Sequence, residues 1–345
     1  MTAHYQTAVV NWLYTGLFLV VAMVVIGGIT RLTGSGLSMV EWQVISGTIP
    51  PLSTEEWEKA FDAYKQFPEY QKLNYHLTLS GFKSIFWWEY SHRLIGRVIG
   101  LVFIIPFVYF LWKKRLSRRD TRNLIFILLL GMAQGGMGWF MVKSGLVDNP
   151  HVSHYRLAAH LSLAFLLIGA ILWLILKIKY PSPKRFASIE SLRFPWAVVC
   201  LVAIFIQVIL GAFVAGLKSG YYYNTFPLMD GKLIPWDTFT SSGTGVWESG
   251  AFVQFLHRWF AWIVFIAIVA TWLKIRSGYC SIRVRKYSNF LVLMALVQVI
   301  VGISTLVLAV PLFLGVAHQV IATMLFGLSL SLLYHVRHCG EFAFT

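Results

Sequence analysis

The sequence predicts an all-α integral membrane protein, with eight transmembrane helices arranged as two tandem, pseudo-symmetric four-helix bundles. Three observations predict this fold class: an apolar composition, eight apolar runs of spanning length, and a repeat of short motifs between the two halves. Of the 345 residues, 57% are hydrophobic and 12% are charged, and the mean hydropathy is +0.67. A soluble protein of this size needs more polar surface than this composition provides.

Eight apolar runs are long enough to cross the hydrocarbon core of a bilayer. They lie at about 10–29, 92–112, 122–142, 156–176, 195–217, 252–273, 288–309 and 313–335. The first run is not followed by a small-residue cleavage site, so we expect it to be a membrane span and not a cleaved signal.

The distribution of charge predicts the orientation of these spans. The formal net charge of +15 is concentrated in the loops 113–122, 177–193 and 274–286, whereas the longer loops 30–91 and 218–251 carry most of the acids. The positive-inside rule then places the basic loops and both termini in the cytoplasm and the two long loops outside. Because these cations lie in short loops between spans, we exclude nucleic acid as a partner.

Short motifs recur in the same order in the two halves of the chain. Spans two and six carry a His-Arg pair, spans four and eight an Ala-His pair, and spans three and seven a Gln followed four residues later by a Gly: His92-Arg93 and His257-Arg258, Ala159-His160 and Ala317-His318, Gln134 to Gly138 and Gln298 to Gly302. The predicted domains are residues 1–185, with the long outer loop 30–91, and residues 186–345. Each has an even number of spans, so the repeat is parallel.

Four of the ten histidines occupy equivalent positions in this repeat: His92, His160, His257 and His318. We expect each of them about four or five residues inside the start of its helix. A single buried histidine is most often a hydrogen-bonded core residue, but two opposed imidazoles on facing helices of a bundle suit a haem with two axial nitrogens. A zinc site would need further ligands. The other six histidines are interpreted as solvated: His4, His76, His151, His154, His335 and His338.

The two halves differ three residues before the first histidine, where Glu89 in one corresponds to Gln254 in the other. Glu89 could cap a helix N-terminus, where negative charge is favoured. Alternatively, it is an acid/base group beside a reactive haem, since residues three apart share a helix face. Gln254 cannot exchange a proton, so the first half is predicted to hold the reaction site and the second a redox partner.

Four arginines near the outer ends of helices are candidates for binding haem propionates: Arg31, Arg93, Arg97 and Arg258. A guanidinium can hold a carboxylate through two parallel hydrogen bonds. Ordinary anchoring at the membrane interface is the alternative for each.

The segment Gly27–Ser38, the Glu89-x-x-His92-Arg93 element and the three further histidines together resemble the haem A synthase family over nearly the whole chain. The lack of a cysteine pair in the outer loops resembles its proteobacterial and mitochondrial branch. The resemblance implies oxidation of the C8 methyl group of haem O to a formyl group, giving haem A for cytochrome c oxidase, in the bacterial cell inner membrane. Two hydroxylations and loss of water would accomplish this.

The resemblance also implies roles for the site residues. Glu89, His92 and His160 would form the catalytic site around haem O, while His257 and His318 would ligate a resident haem b that passes electrons to an acceptor. Partners would be haem O, haem A and membrane lipid, with haem O synthase and cytochrome c oxidase assembly factors as candidates and a homo-oligomer left open. Whether the inserted oxygen comes from water or from O₂ also stays open.

Two other functions are compatible with parts of the pattern. A di-haem b electron-transfer cytochrome would use both histidine pairs, but it commonly places its haems near opposite faces and would leave Glu89 idle. A transporter would suit the parallel repeat, but the spans show no charged pair at mid-depth.

We also expect the amphipathic stretch 52–64 to cover the substrate site.

Overall fold

The computed structural model describes residues 3–40, 46–145, 152–181, 193–239, 245–278 and 280–337. Within these ranges, eight helices are long and apolar enough to cross a membrane, which confirms the predicted spans. They are α1 (Ala3–Leu32), α3 (Leu79–Trp112), α4 (Arg118–Gly145), α5 (His154–Lys179), α6 (Phe194–Gly216), α8 (Gly250–Arg276), α9 (Ile282–Val307) and α10 (Leu312–Arg337). Two shorter helices, α2 (Thr54–Lys65) and α7 (Trp236–Phe239), lie in the two long loops.

The long helices contact one another in two rings. In the first ring α1 contacts α3, α3 contacts α4, α4 contacts α5, and α5 contacts α1; in the second, α6, α8, α9 and α10 follow the same order. The two rings of helices meet where α5 contacts α6, where α1 contacts α10, and where α5 contacts α10. A core of buried apolar side chains runs through this junction, where Phe165 packs on Phe326 at a ring-centroid distance of 5.2 Å. The predicted histidines therefore lie on helices of two separate rings.

Helix α3 begins at Leu79, so the predicted start of this span near residue 92 is wrong. Thr78 provides the N-cap, with its hydroxyl accepting from the amide of Gly81 at 3.4 Å. The first three turns of α3 lie before the predicted span, and they are stabilised by packing against another helix. The first loop therefore ends at Thr78 and not at residue 91, and His92 lies more than three turns inside its helix.

The packing partner of these turns is α2. A capping box starts this helix: the Glu56 amide donates to the Ser53 hydroxyl at 3.2 Å, and the Ser53 amide donates to the Glu56 carboxylate at 3.3 Å. Its apolar face joins α3 in an aromatic cluster, which we call the loop cluster, of Trp57, Phe61, Tyr64, Phe82, Phe86 and Tyr90. The predicted amphipathic stretch is thus a helix, and it packs on the part of α3 that carries Glu89.

Candidate active site

The four predicted histidines lie on α3, α5, α8 and α10, and each is partly buried. The rings of His257 and His318 face each other, with centroids 6.4 Å apart and planes inclined by 74°. His92 lies close enough to His160 for the two rings to interact electrostatically. The structure therefore brings together both pairs that the sequence predicted.

Each of these imidazoles packs against a glycine of a neighbouring helix. A Cβ atom added to the glycine would meet the ring at or below ordinary van der Waals distance. The distance from this added Cβ to the nearest ring atom would be 3.2 Å for Gly27 and His92, 3.1 Å for Gly138 and His160, 3.2 Å for Gly211 and His257, and 2.8 Å for Gly302 and His318. Glycine at these positions leaves the room that the rings occupy.

Three of the four imidazoles also contact a glutamine. The side-chain nitrogen of Gln134 lies 3.3 Å from Nε2 of His160, and that of Gln298 lies 3.4 Å from Nε2 of His318. The side-chain nitrogen of Gln207 lies 3.1 Å from Nδ1 of His257 and donates to its carbonyl oxygen at 2.9 Å. These contacts orient the rings, as polar partners of metal-binding histidines commonly do.

Glu89 is buried inside α3 and is held by donors to both of its oxygens. Arg93 Nη2 lies 2.5 Å from Oε1, while the Ser38 hydroxyl and the Met39 amide donate to Oε2 at 2.7 and 2.8 Å. The interpretation of Glu89 as a cap of a helix N-terminus is wrong, because the helix starts at Leu79. Ser38 ends the segment Gly27–Ser38 and Met39 directly follows it. Nothing in that segment of the sequence predicts that these two residues hold the carboxylate.

The equivalent position in the second half has matching surroundings without a carboxylate. Gln254 is buried, and its side-chain nitrogen donates to the carbonyl of Tyr223 at 3.1 Å. Arg258 donates to the same carbonyl and, at 2.8 Å, to that of Thr225. Arg93 likewise donates to the carbonyl of Met39 at 2.8 Å. In both halves, therefore, an arginine donates to a loop carbonyl. Only the first half has a side chain at this position that can carry a proton, the carboxylate of Glu89.

The candidate arginines have protein partners in this structure. Arg31 donates to the carbonyls of Ala215 and Gly216 at 2.9 and 3.0 Å, at the end of α6, where helix carbonyls have no partner within the helix. This bond joins the two rings of helices. Arg97 lies near Arg93, whose like charge repels it. Propionate binding by Arg31, Arg93, Arg97 and Arg258 stays a prediction.

The sequence was compared with known proteins and families. The COX15-CtaA family, described as cytochrome oxidase assembly protein, matches residues 10–330. The chain belongs to this family. Curated relatives include a protein of Nitrosospira multiformis, 48% identical over 96% of this chain and 94% of its own length. Others are from Paramagnetospirillum magneticum, 46% identical over 95% and 93%, and Flavobacterium johnsoniae, 45% identical over 92% and 94%. All three are named "Heme A synthase".

A second buried carboxyl of this family member, Glu69, was counted in the sequence only as one of the acids of the first loop. It is 7% exposed, and the Tyr64 hydroxyl of the loop cluster donates to it at 3.1 Å. Asn74 in turn donates to that hydroxyl at 2.8 Å. Burial raises the pKa of Glu69 to about 7, and the charge of Glu89 acts in the same direction, against Tyr64, Lys218 and Arg31. Only its spacing from the aromatic residues of α2 could have indicated its burial.

The raised pKa of Glu69 predicts a pH dependence of the first loop. The folded protein binds this proton more tightly than the unfolded chain, so the stabilisation is present at pH 5 and is lost as the pH rises through about 7. We expect amides of residues 66–74 to be protected more strongly at pH 5.5 than at pH 8, by about 2 kcal/mol. Hydrogen exchange corrected for intrinsic rates measures this. Glu69→Gln should remove the difference, and Glu58→Gln, at an exposed acid of α2, should keep it. An unchanged pH dependence in Glu69→Gln would refute the assignment.

Two histidines interpreted as solvated are buried instead. His154 at the start of α5 is 4% exposed, packs on Phe213 of α6 and lies 3.8 Å from the carboxylate of Glu248. His335 near the end of α10 is 7% exposed and stacks on Tyr287 at 5.2 Å. Both interpretations were wrong because the contacts come from distant helices. His76 is exposed as predicted, whereas His151, His338 and the side chain of His4 lie outside the described residues.

The glycine contacts predict a site-specific effect of a single methyl group. Gly138→Ala would place Cβ 3.1 Å from Cε1 of His160, so the ring would have to shift by a few tenths of an ångström against its contact with Gln134. Gly136→Ala on the same helix meets nothing within 4 Å, so it is the matched control. We expect Gly138→Ala to lower haem O binding about tenfold or more, by analogy with changes to partners of metal ligands. Equal haem O affinity of the two variants in a spectroscopic titration would show that the contact is unimportant.

Proposed function

We propose that this chain is a haem A synthase that acts on haem O in its first half and holds a resident haem b in its second. The observation that carries the proposal is the placement of Glu89, a buried carboxylate one turn before His92, where the otherwise matching second half has Gln254. A carboxylate there is suited to accept and return protons, and an amide is not. Membership of the family and the names of the relatives support the same function.

The geometry of the second histidine pair supports haem b at His257 and His318. These two imidazoles lie on facing helices with their ring centroids 6.4 Å apart, and each would hold the haem iron through one nitrogen. Nδ1 of His318 is buried without a hydrogen-bond partner among the described residues. Residues 186–345 thus form the haem b domain of this proposal, and residues 1–185 the substrate domain, where His92 and His160 bracket haem O.

Conversion of a methyl group to a formyl group removes four electrons, adds one oxygen atom and releases protons. When bound in the second half, haem b would supply a one-electron carrier between the substrate domain and an external redox partner. Glu89 accepts protons leaving the reacting carbon or an attacking water. Arg93, Ser38 and the Met39 amide hold this carboxylate in place between transfers. Water and O₂ both stay open as the source of oxygen.

The surroundings of the enzyme follow from the same proposal. Eight apolar helices make it a multi-pass membrane protein. We propose the bacterial inner membrane, with both termini in the cytoplasm and both histidine pairs toward the outer side, from the basic loops. Membrane lipid would surround α4 and α9, which bury few side chains. Haem O synthase and cytochrome c oxidase assembly factors would be the partners that supply haem O and take haem A.

Co-expression with a source of haem O tests the proposed function. Haems are extracted from membranes with and without this chain and identified by mass. We expect haem A only where the chain and haem O are both present. Haem b alone, with haem O unaltered, would overturn the proposal and favour the di-haem b electron-transfer cytochrome.

A further inference from the structure

Three of the four glycines that contact an imidazole share a second feature. Four residues before Gly138, Gly211 and Gly302 stands a glutamine, and each of these glutamines contacts the same imidazole as its glycine. Four residues before Gly27 stands Met23. The pattern Gln-x-x-x-Gly thus occurs at His160, His257 and His318, and Met-x-x-x-Gly occurs at His92.

Met23 occupies the place of the missing glutamine. It lies one turn before Gly27 on α1, and its terminal methyl group lies 3.7 Å from where a Cβ of Gly96 would be. Gly96 is one turn after His92 on α3, so Met23 reaches the helix face that carries the histidine. A thioether has no hydrogen to donate and is a weak acceptor. Among the described residues, none forms a hydrogen bond with the ring of His92.

We propose that Met23 makes His92 the exchangeable ligand of the substrate haem, while the three glutamines hold the other ligands in place. This inference rests on the proposed function and adds to it a positioning residue. Loss of a polar partner typically weakens a metal-binding histidine 10–100-fold. A substrate haem must enter and leave, and a weak ligand on one side permits this without loosening the resident haem. Release of His92 would also free one ligand site on the haem iron, on the side of the helix that carries Glu89.

The test exchanges the two side chains and measures haem release. Full-length protein is loaded with haem O and haem b, mixed with excess apomyoglobin, and each haem remaining on the protein is quantified by mass over time. We expect Met23→Gln to slow the loss of haem O about tenfold or more. Met23→Leu, which cannot form a hydrogen bond with the imidazole, should release haem O as wild type does.

The reciprocal variant provides an independent readout. Gln207→Met removes the partner of His257, so the reduced haem b should begin to bind CO and should transfer to apomyoglobin faster than in wild type. The proposal would be overturned if Met23→Gln released haem O as fast as wild type, or if Met23→Leu slowed the release equally. It would also be overturned if reduced Gln207→Met protein were as unable to bind CO as wild type. Failure of the proposed function would instead show as absent haem A, with these release rates still measurable.

Discussion

Replacing Glu89 by glutamine is expected to abolish haem A formation while leaving both haems bound. The amide keeps the size of the side chain and can still accept from Ser38, but it cannot take a proton and leaves Arg93 without its counter-charge. General acid/base groups contribute about 10²–10⁴-fold to a rate, so we expect at least a hundredfold loss. The amount of haem A extracted per bound haem b, from cells supplied with haem O, measures it.

Two matched variants separate proton transfer from packing. Gln254→Glu places a carboxylate at the equivalent position of the second half and should not restore haem A formation in the Glu89→Gln background, because the proposed substrate site is in the first half. Ser38→Ala removes one of the donors to Glu89 and should slow the reaction without stopping it. Wild-type amounts of haem A from Glu89→Gln would show that this carboxylate takes no part in the reaction.

Replacing His257 by alanine is expected to remove haem b and, with it, haem A formation. The imidazole that would hold haem b and its contact with Gln207 are lost together, so the proposed redox link to the substrate domain would be missing. The reduced-minus-oxidised spectrum of the purified protein reports haem b. His92→Ala should keep that spectrum and still stop the reaction, while His76→Ala, at an exposed position, should change neither. Retention of haem b in His257→Ala would place the resident haem elsewhere.

The transmembrane part of the fold was predictable because its signal is local. Apolar runs of spanning length reported the eight helices, and the repeated His-Arg and Ala-His pairs reported the two histidine pairs. The start of α3 was not predictable in this way. Its first three turns lie beyond the apolar run and are stabilised by α2, which the sequence shows only as an amphipathic stretch.

The polar surroundings of the site depend on contacts between distant segments. Ser38 and Met39 meet Glu89 across about fifty residues of chain, and Arg31 reaches the end of α6 in the other half. Such contacts leave no periodic pattern in the sequence, so neither the bond of Arg31 to α6 nor the burial of Glu69 could be predicted from it. The glutamine before each glycine was visible in the sequence at Gln134 and Gln298, but only the structure shows that it touches a histidine.

The division of labour between the two halves is tested most directly by the haem content of the wild-type protein made without any haem O. Protein is purified from such cells, and haem b is quantified per chain together with its ability to bind CO when reduced. We expect one haem b per chain that does not bind CO, held by His257 and His318. Two haem b groups per chain, both inert to CO, would contradict it and would identify the protein as an electron carrier with two equivalent sites.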